Sequence, residues 1–91
     1  MTTIIHIPTP LRPYTKKNAE LTVNAECVSG ALASLVESFP ELKGRIFNSN
    51  NRLRPFINLY LGDVDIRQLG GLDTPLEEGS ELSIVPSIAG G

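Results

Sequence analysis

The sequence predicts an α+β fold, and three observations carry that prediction. One stretch has helical periodicity: Val28, Ala31, Leu32, Leu35, Val36 and Phe39 recur as a single apolar stripe. Short runs on both sides of it alternate apolar with polar residues, as half-buried strands do. Eight glycines and seven prolines among 91 residues cut the chain into short elements.

Thr3 to Ile7 reads as the first strand, with Ile5 and Ile7 on one face and Ile4 and His6 on the other. Pro8, Pro10 and Pro13 are expected to forbid helix and end the pairing. Glu20 to Asn24 is a second strand, since Leu21 and Val23 alternate with Thr22. The link of about ten residues is long for a hairpin, where roughly two to five is usual. Val28 to Phe39 is the main helix, closed by Pro40 because a residue before proline avoids the α region. Cys27 stands at its start, where Ser, Thr or Asp would cap better, and Ser29 is the alternative cap. Glu41 to Phe47 reads as a short helical turn and Asn48 to Asn51 as a polar loop. Phe56 to Leu61 is a strand presenting Ile57, Leu59 and Leu61 on one face. Gly62-Asp63 turns it into a short return strand over Val64 to Arg67. Gly70-Gly71 breaks the chain, and Thr74-Pro75-Leu76 suggests one helical turn. The last strand is Glu81 to Pro86, with Leu82 and Ile84 opposite Ser83 and Val85. Strands grouped around one helix place that helix over one face of a mixed sheet of four to five strands. That is the β-grasp order. It implies one domain over residues 1–86, followed by a flexible tail over 87–91.

Composition narrows the function. Ten acidic against eight basic residues leave a net charge of −2, which argues against nucleic acid and anionic membrane as partners. One cysteine and one histidine exclude a disulfide framework and a multi-cysteine or His-rich metal site. No apolar run approaches the ~20 residues of a membrane span, and the N-terminal residues lack a charged, then apolar, leader pattern. The expectation is a small cytoplasmic protein.

No side-chain constellation points to catalysis. Cys27 and His6 are the only thiol–base pair; Cys27 reads as a structural helix-end thiol and His6 as a strand residue. Asp63, Asp65 and Asp73 lie at turns, where Asp bonds its own backbone, and lack the spacing of a calcium loop. The chain ends on Gly90-Gly91. A terminal pair without side-chain bulk can thread a narrow channel and present the Gly91 carboxylate to another protein's active site. A carboxylate must be activated to react, and the chain has no phosphate-binding loop. ATP and Mg²⁺ would therefore come from a partner, with no cofactor or metal of the chain's own. Ile4, Tyr60 and Val85 share the sheet face opposite the helix and form the expected docking patch beside this tail.

Five segments carry a family resemblance: Phe56-Ile57-Asn58-Leu59-Tyr60-Leu61; Asp65-Ile66-Arg67; Gly71-Leu72-Asp73-Thr74-Pro75-Leu76; Gly79-Ser80-Glu81-Leu82; and Val85-Pro86-Ser87-Ile88-Ala89-Gly90-Gly91. Together they resemble the ubiquitin-like sulfur carriers of the ThiS/MoaD family, over nearly the whole chain. Ile7-Pro8-Thr9 with Leu11-Arg12-Pro13 is similar to the branch that works with a cysteine synthase. Cys27 departs from the family, which usually has Thr there. The resemblance implies a protein co-substrate and no enzyme. A ubiquitin-activating-enzyme-like adenylyltransferase would adenylate Gly91, with Gly90 and Ala89 giving access, and sulfur would displace AMP to leave a thiocarboxylate. The acceptor implied is an aminoacrylate held on a pyridoxal-phosphate cysteine synthase, which would join the Gly91 carbonyl to cysteine through a thioester. An S-to-N shift and a metal-dependent peptidase would then free cysteine. Thiamine, molybdopterin, thiolated tRNA or a secondary metabolite are alternative destinations, and a ubiquitin-like modifier is an alternative role.

Overall fold

The computed structural model describes residues 2–50 and 52–86. Its five strands are β1 (Thr2–His6), β2 (Glu20–Asn24), β3 (Ile57–Leu61), β4 (Val64–Asp65) and β5 (Ser80–Pro86). They form one mixed sheet in the order β2-β1-β5-β3-β4. β1 and β5 run parallel at its centre, and every other neighbouring pair is antiparallel. The helices are α1 (Val28–Ser38) and the one-turn α2 (Lys43–Ile46), beside four short 3₁₀ segments. This is the β-grasp arrangement.

The core follows from the alternation. Ile5 and Ile7, Ile57 and Leu59, and Leu82 and Ile84 turn one face of the sheet inward and are buried. α1 answers with Val28, Ala31, Leu32 and Leu35, each at most 1% exposed. Leu61, expected on the same face, is only half-buried at the far end of β3. Phe39 is the C-cap of α1, and its amide donates to Leu35 O at 2.9 Å. Cys27 is the N-cap, in extended conformation, with no side-chain cap hydrogen bond; its Sγ lies against the Ser29 hydroxyl instead. A backbone bond substitutes in part: Val28 N donates to Thr74 O at 3.0 Å, and Leu76 N to Glu26 O at 2.9 Å.

Three sequence expectations are corrected. The prolines after β1 do not exclude helix, since Thr9–Thr15 is a 3₁₀ helix with proline in its first turn and Pro13 inside. Proline's fixed φ suits a helical backbone, and its missing N–H costs least in a first turn or in a short 3₁₀ run. The run ends at Lys16 and Lys17, with φ of 55° and 67°. The return strand stops at Asp65. The Asp65 carboxylate accepts the Arg67 amide at 2.9 Å and starts a 3₁₀ turn over Ile66–Gln68. The helical turn expected at Thr74–Leu76 lies earlier, over Gly71–Asp73. Pro75 keeps Thr74 out of the α region, so the chain leaves extended and Pro75 bridges Cys27.

Thr3 faces inward on β1 at 0% exposure, and its hydroxyl has no hydrogen-bond partner among the described residues. A buried unpaired hydroxyl costs about 1–3 kcal/mol. Thr3→Val keeps the shape and removes that group. Its expected effect is a gain of about 1 kcal/mol in urea unfolding, with an unchanged slope; a loss of stability would show that the hydroxyl is satisfied in solution.

Candidate functional site

β5 carries the chain from the buried centre of the sheet to its surface. Its alternation buries Leu82 and Ile84 and turns Glu81, Ser83 and Val85 to the open face. Pro86 pairs with Ile57 at the strand's end, and a residue without an N–H cannot extend the ladder. Gly91, Gly90 and Ala89 lie outside the described residues, and Pro86 marks where the segment containing them begins.

The register decides which docking residues meet. Tyr60 pairs with Ser83 and Asn58 with Val85, so Tyr60 and Val85 are diagonal neighbours across β3 and β5. Val85 is 43% exposed, and Tyr60 is half-buried. Ile4 is half-buried and lies elsewhere. It sits between Thr22 on β2 and Glu81 on β5. Glu81 precedes Val85 by four residues, or roughly 13 Å along the strand. The structure therefore joins Tyr60 with Val85 near Pro86 and places Ile4 toward the start of β5.

Polar side chains flank these positions on both sides. His6 Nε2 lies 2.8 Å from Glu81 Oε1, and Nδ1 lies 3.5 Å from Glu20 Oε2. On the β4 side, Arg67 binds Asp65 at 2.6 Å and donates to Asn58 Oδ1 at 3.0 Å, beside Val85. The Arg67 side chain and then its amide hold the Asp65 carboxyl below its usual pKa, and Asp65 in turn raises that of Arg67. The open face is thus a mixed surface with an apolar corner at Tyr60 and Val85.

Cys27 lies on another side of the molecule, at the start of α1. Its Sγ is 3.2 Å from Ser29 Oγ. The Ser29 hydroxyl, followed by the Gly30 amide, lowers the thiol pKa, against desolvation and the Asp73 charge. Among the described residues no cluster of three His, Cys, Asp or Glu is arranged to hold a metal. No helix there is long and apolar enough to cross a membrane. The motif reading singled out none of Tyr14, Arg45 and Arg54, which the fold brings beside Pro86. Their signal in the sequence was distribution: residues 9–17 and 40–56 contain seven of the eight basic residues and one of the ten acidic ones.

The model of the ThiS family matches residues 5–91. The chain belongs to the ThiS family. It is 30% identical over 93 positions to the sulfur carrier protein CysO of Mycobacterium tuberculosis, covering 100% of both chains. In the crystal structure of the Amycolatopsis orientalis BexX/CysO complex, one chain matches this ThiS-family fold with a TM-score of 0.88 at 30% identity. The match covers 98% of this chain and 99% of that one. The solution structure of small archaeal modifier protein 1 from Methanosarcina acetivorans is as similar, with a TM-score of 0.88, 30% identity, and 99% and 96% coverage. Sulfur carriers and modifiers therefore share the ThiS-family scaffold seen here.

The Cys27 environment has a measurable consequence. Alkylation by iodoacetamide is expected to reach half its maximal rate at a lower pH in the folded chain than in the unfolded chain. Ser29→Ala should move that midpoint upward. Because the folded thiol ionises more readily, its contribution to stability is present above the unfolded pKa and is lost as pH falls through the folded one. An unchanged midpoint in Ser29→Ala would remove the hydroxyl as the cause.

Proposed function

We propose that this chain is a sulfur carrier whose Gly91 carboxylate is the reactive group. The observation that carries this reading is the family match, which runs through Gly91, together with full-length similarity to a protein named a sulfur carrier. The β-grasp core acts as a handle, and the chemistry belongs to partners. A ubiquitin-activating-enzyme-like adenylyltransferase uses ATP and Mg²⁺. The Gly91 carboxylate attacks the α-phosphorus, pyrophosphate leaves, and an acyl-adenylate remains. Sulfide or a persulfide sulfur then attacks the carbonyl, AMP leaves, and a persulfide donor needs a thiol reductant to release the product. The thiocarboxylate is anionic near neutrality and nucleophilic through sulfur. Gly90 and Ala89 keep the end narrow enough to enter both partner sites.

Likeness to CysO favours cysteine as the destination. In that route a pyridoxal-phosphate synthase would first eliminate the activated hydroxyl of serine to give an aminoacrylate, and the thiocarboxylate sulfur would add to its β-carbon while the α-carbon takes a proton. The resulting thioester shifts to an amide, and a metal-dependent peptidase cuts after Gly91. A second reading, attachment to protein amines through the same adenylate, has support from the likeness to the archaeal modifier. Both roles place the protein in the cytoplasm, where ATP-dependent activation occurs.

Deletion of Gly91, or Gly90→Val, should abolish thiocarboxylate formation with circular dichroism unchanged. Intact mass of chain isolated from cells reads the outcome: sulfur replacing one oxygen marks the carrier, and conjugates of higher mass mark the modifier. Normal sulfur loading after Gly91 deletion would overturn the assignment.

Docking through Tyr60 and Val85 predicts a second contrast. Val85→Asp should weaken binding to the activating enzyme by roughly tenfold, as for a central apolar contact. Ser83→Asp, on the same face, should cost less. Equal and negligible effects would place docking elsewhere, and Ile4→Asp would show whether the start of β5 takes part.

A further inference from the structure

Two arginines converge where β5 ends. Pro86 lines one wall of a groove of about 410 Å³, with Leu11 and Tyr14 from the 3₁₀ segment, Arg45 from α2, and Arg54 and Phe56 from the entry to β3. The Arg45 guanidinium lies over the Tyr14 ring, 4.7 Å from its centroid. Arg54 Nε donates to Gly44 O at 2.9 Å, which fixes its side chain. Neither arginine forms an ion pair among the described residues, where Arg67 does so with Asp65. Phe56 is 39% exposed beside them.

We propose that this groove docks an acidic segment with apolar neighbours on the partner protein that receives residues 87–91. The proposal rests on the reading that a partner takes the Gly91 end. Three observations support that occupant. Pro86 lines the groove, so a protein that accepts the residues after it comes close to these walls. The groove is flanked by the two segments holding seven of the eight cations in a chain of net charge −2, so the local field opposes the overall charge and favours an acidic face in one orientation. Both arginines are held by intramolecular contacts, so binding immobilises little more. A free phosphate ion would use the cations and leave Leu11, Phe56 and Pro86 in water; a peptide with alternating acidic and apolar side chains uses both.

The test needs no enzyme. The full ¹⁵N-labelled chain is titrated at low ionic strength with a short blocked peptide alternating aspartate with leucine. Saturable shifts are expected at Tyr14, Arg45, Arg54 and Phe56, and none there from the matching lysine–leucine peptide. Arg45→Gln/Arg54→Gln should raise the apparent Kd at least ~10-fold. Asn24→Asp/Gln68→Glu, outside the groove and of the same altered net charge, should change it by less than about twofold. Arg45→Gln alone, at an exposed position, should weaken binding severalfold and guards against loss of the Arg54–Gly44 bond. The proposal is overturned by shifts centred elsewhere, by equal effects of the two double variants, or by inorganic phosphate saturating these residues where the peptide does not. A failed titration leaves the Gly91 assignment to its mass measurement, and a missing thiocarboxylate leaves groove binding as measured.

Discussion

The parallel pairing of β1 with β5 is the contact on which the rest depends. It joins Thr3 to Ser80, Ile5 to Leu82 and His6 to Ser83, bringing the two ends of the described chain together at the centre of the sheet. Parallel strands cannot be joined by a tight turn, so everything between them must form a crossover. α1 lies in that crossover and covers the face on which Ile5, Leu82, Ile84 and Leu59 meet. A slip of one residue in β5 would expose Leu82 and Ile84 and bury Glu81, Ser83 and Val85. The core therefore holds the register, and the register sets which side chains stand on the open face.

The same pairing sets where Pro86, the last described residue, stands. Because β5 is parallel to β1, it ends where β1 runs into the Thr9–Thr15 segment, and Pro86 comes to share a groove with Leu11 and Tyr14. The antiparallel β3 begins at that end, which brings Arg54 and Phe56 there as well. Two surfaces consequently lie beside Pro86. One is the apolar corner of Tyr60 and Val85, and the other is the cationic groove. Acidic residues cluster away from it: Asp73, Glu77 and Glu78 occupy the turns that lead into β5, and Glu78 accepts the Thr2 amide at 2.9 Å. A partner binding beside Pro86 meets a positive surface on an acidic protein.

Much of this architecture was legible in the residues. Alternation of period two and one stripe of period 3.6 are local signals, so all five strand positions, α1 and the buried faces of β1, β3 and β5 could be read directly. The glycine–proline breaks located the turns. Where reading failed, a specific contact that periodicity does not report, near or distant in sequence, had decided the outcome. The 3₁₀ helix over Thr9–Thr15 is packed through buried Leu11 and Thr15 against the rest of the fold, whatever the proline count suggests. β4 ends at Asp65 because its carboxylate turns to the Arg67 amide. Pro75 is extended because it bridges Cys27 across some fifty residues.

The candidate site divides in the same way. The Gly90-Gly91 pair, on which the proposed carrier role rests, is written in the covalent chain, and the sequence by itself determined it, as it did the family and the β-grasp order. Only the tertiary structure decided which surface residues are neighbours. It set Val85 diagonal to Tyr60, moved Ile4 toward the start of β5, and gathered Tyr14, Arg45 and Arg54 from separate segments beside Pro86. The physical reason is that periodicity reports which face a residue occupies, whereas neighbours across strands depend on register and crossover, which are settled by the packing of the whole core.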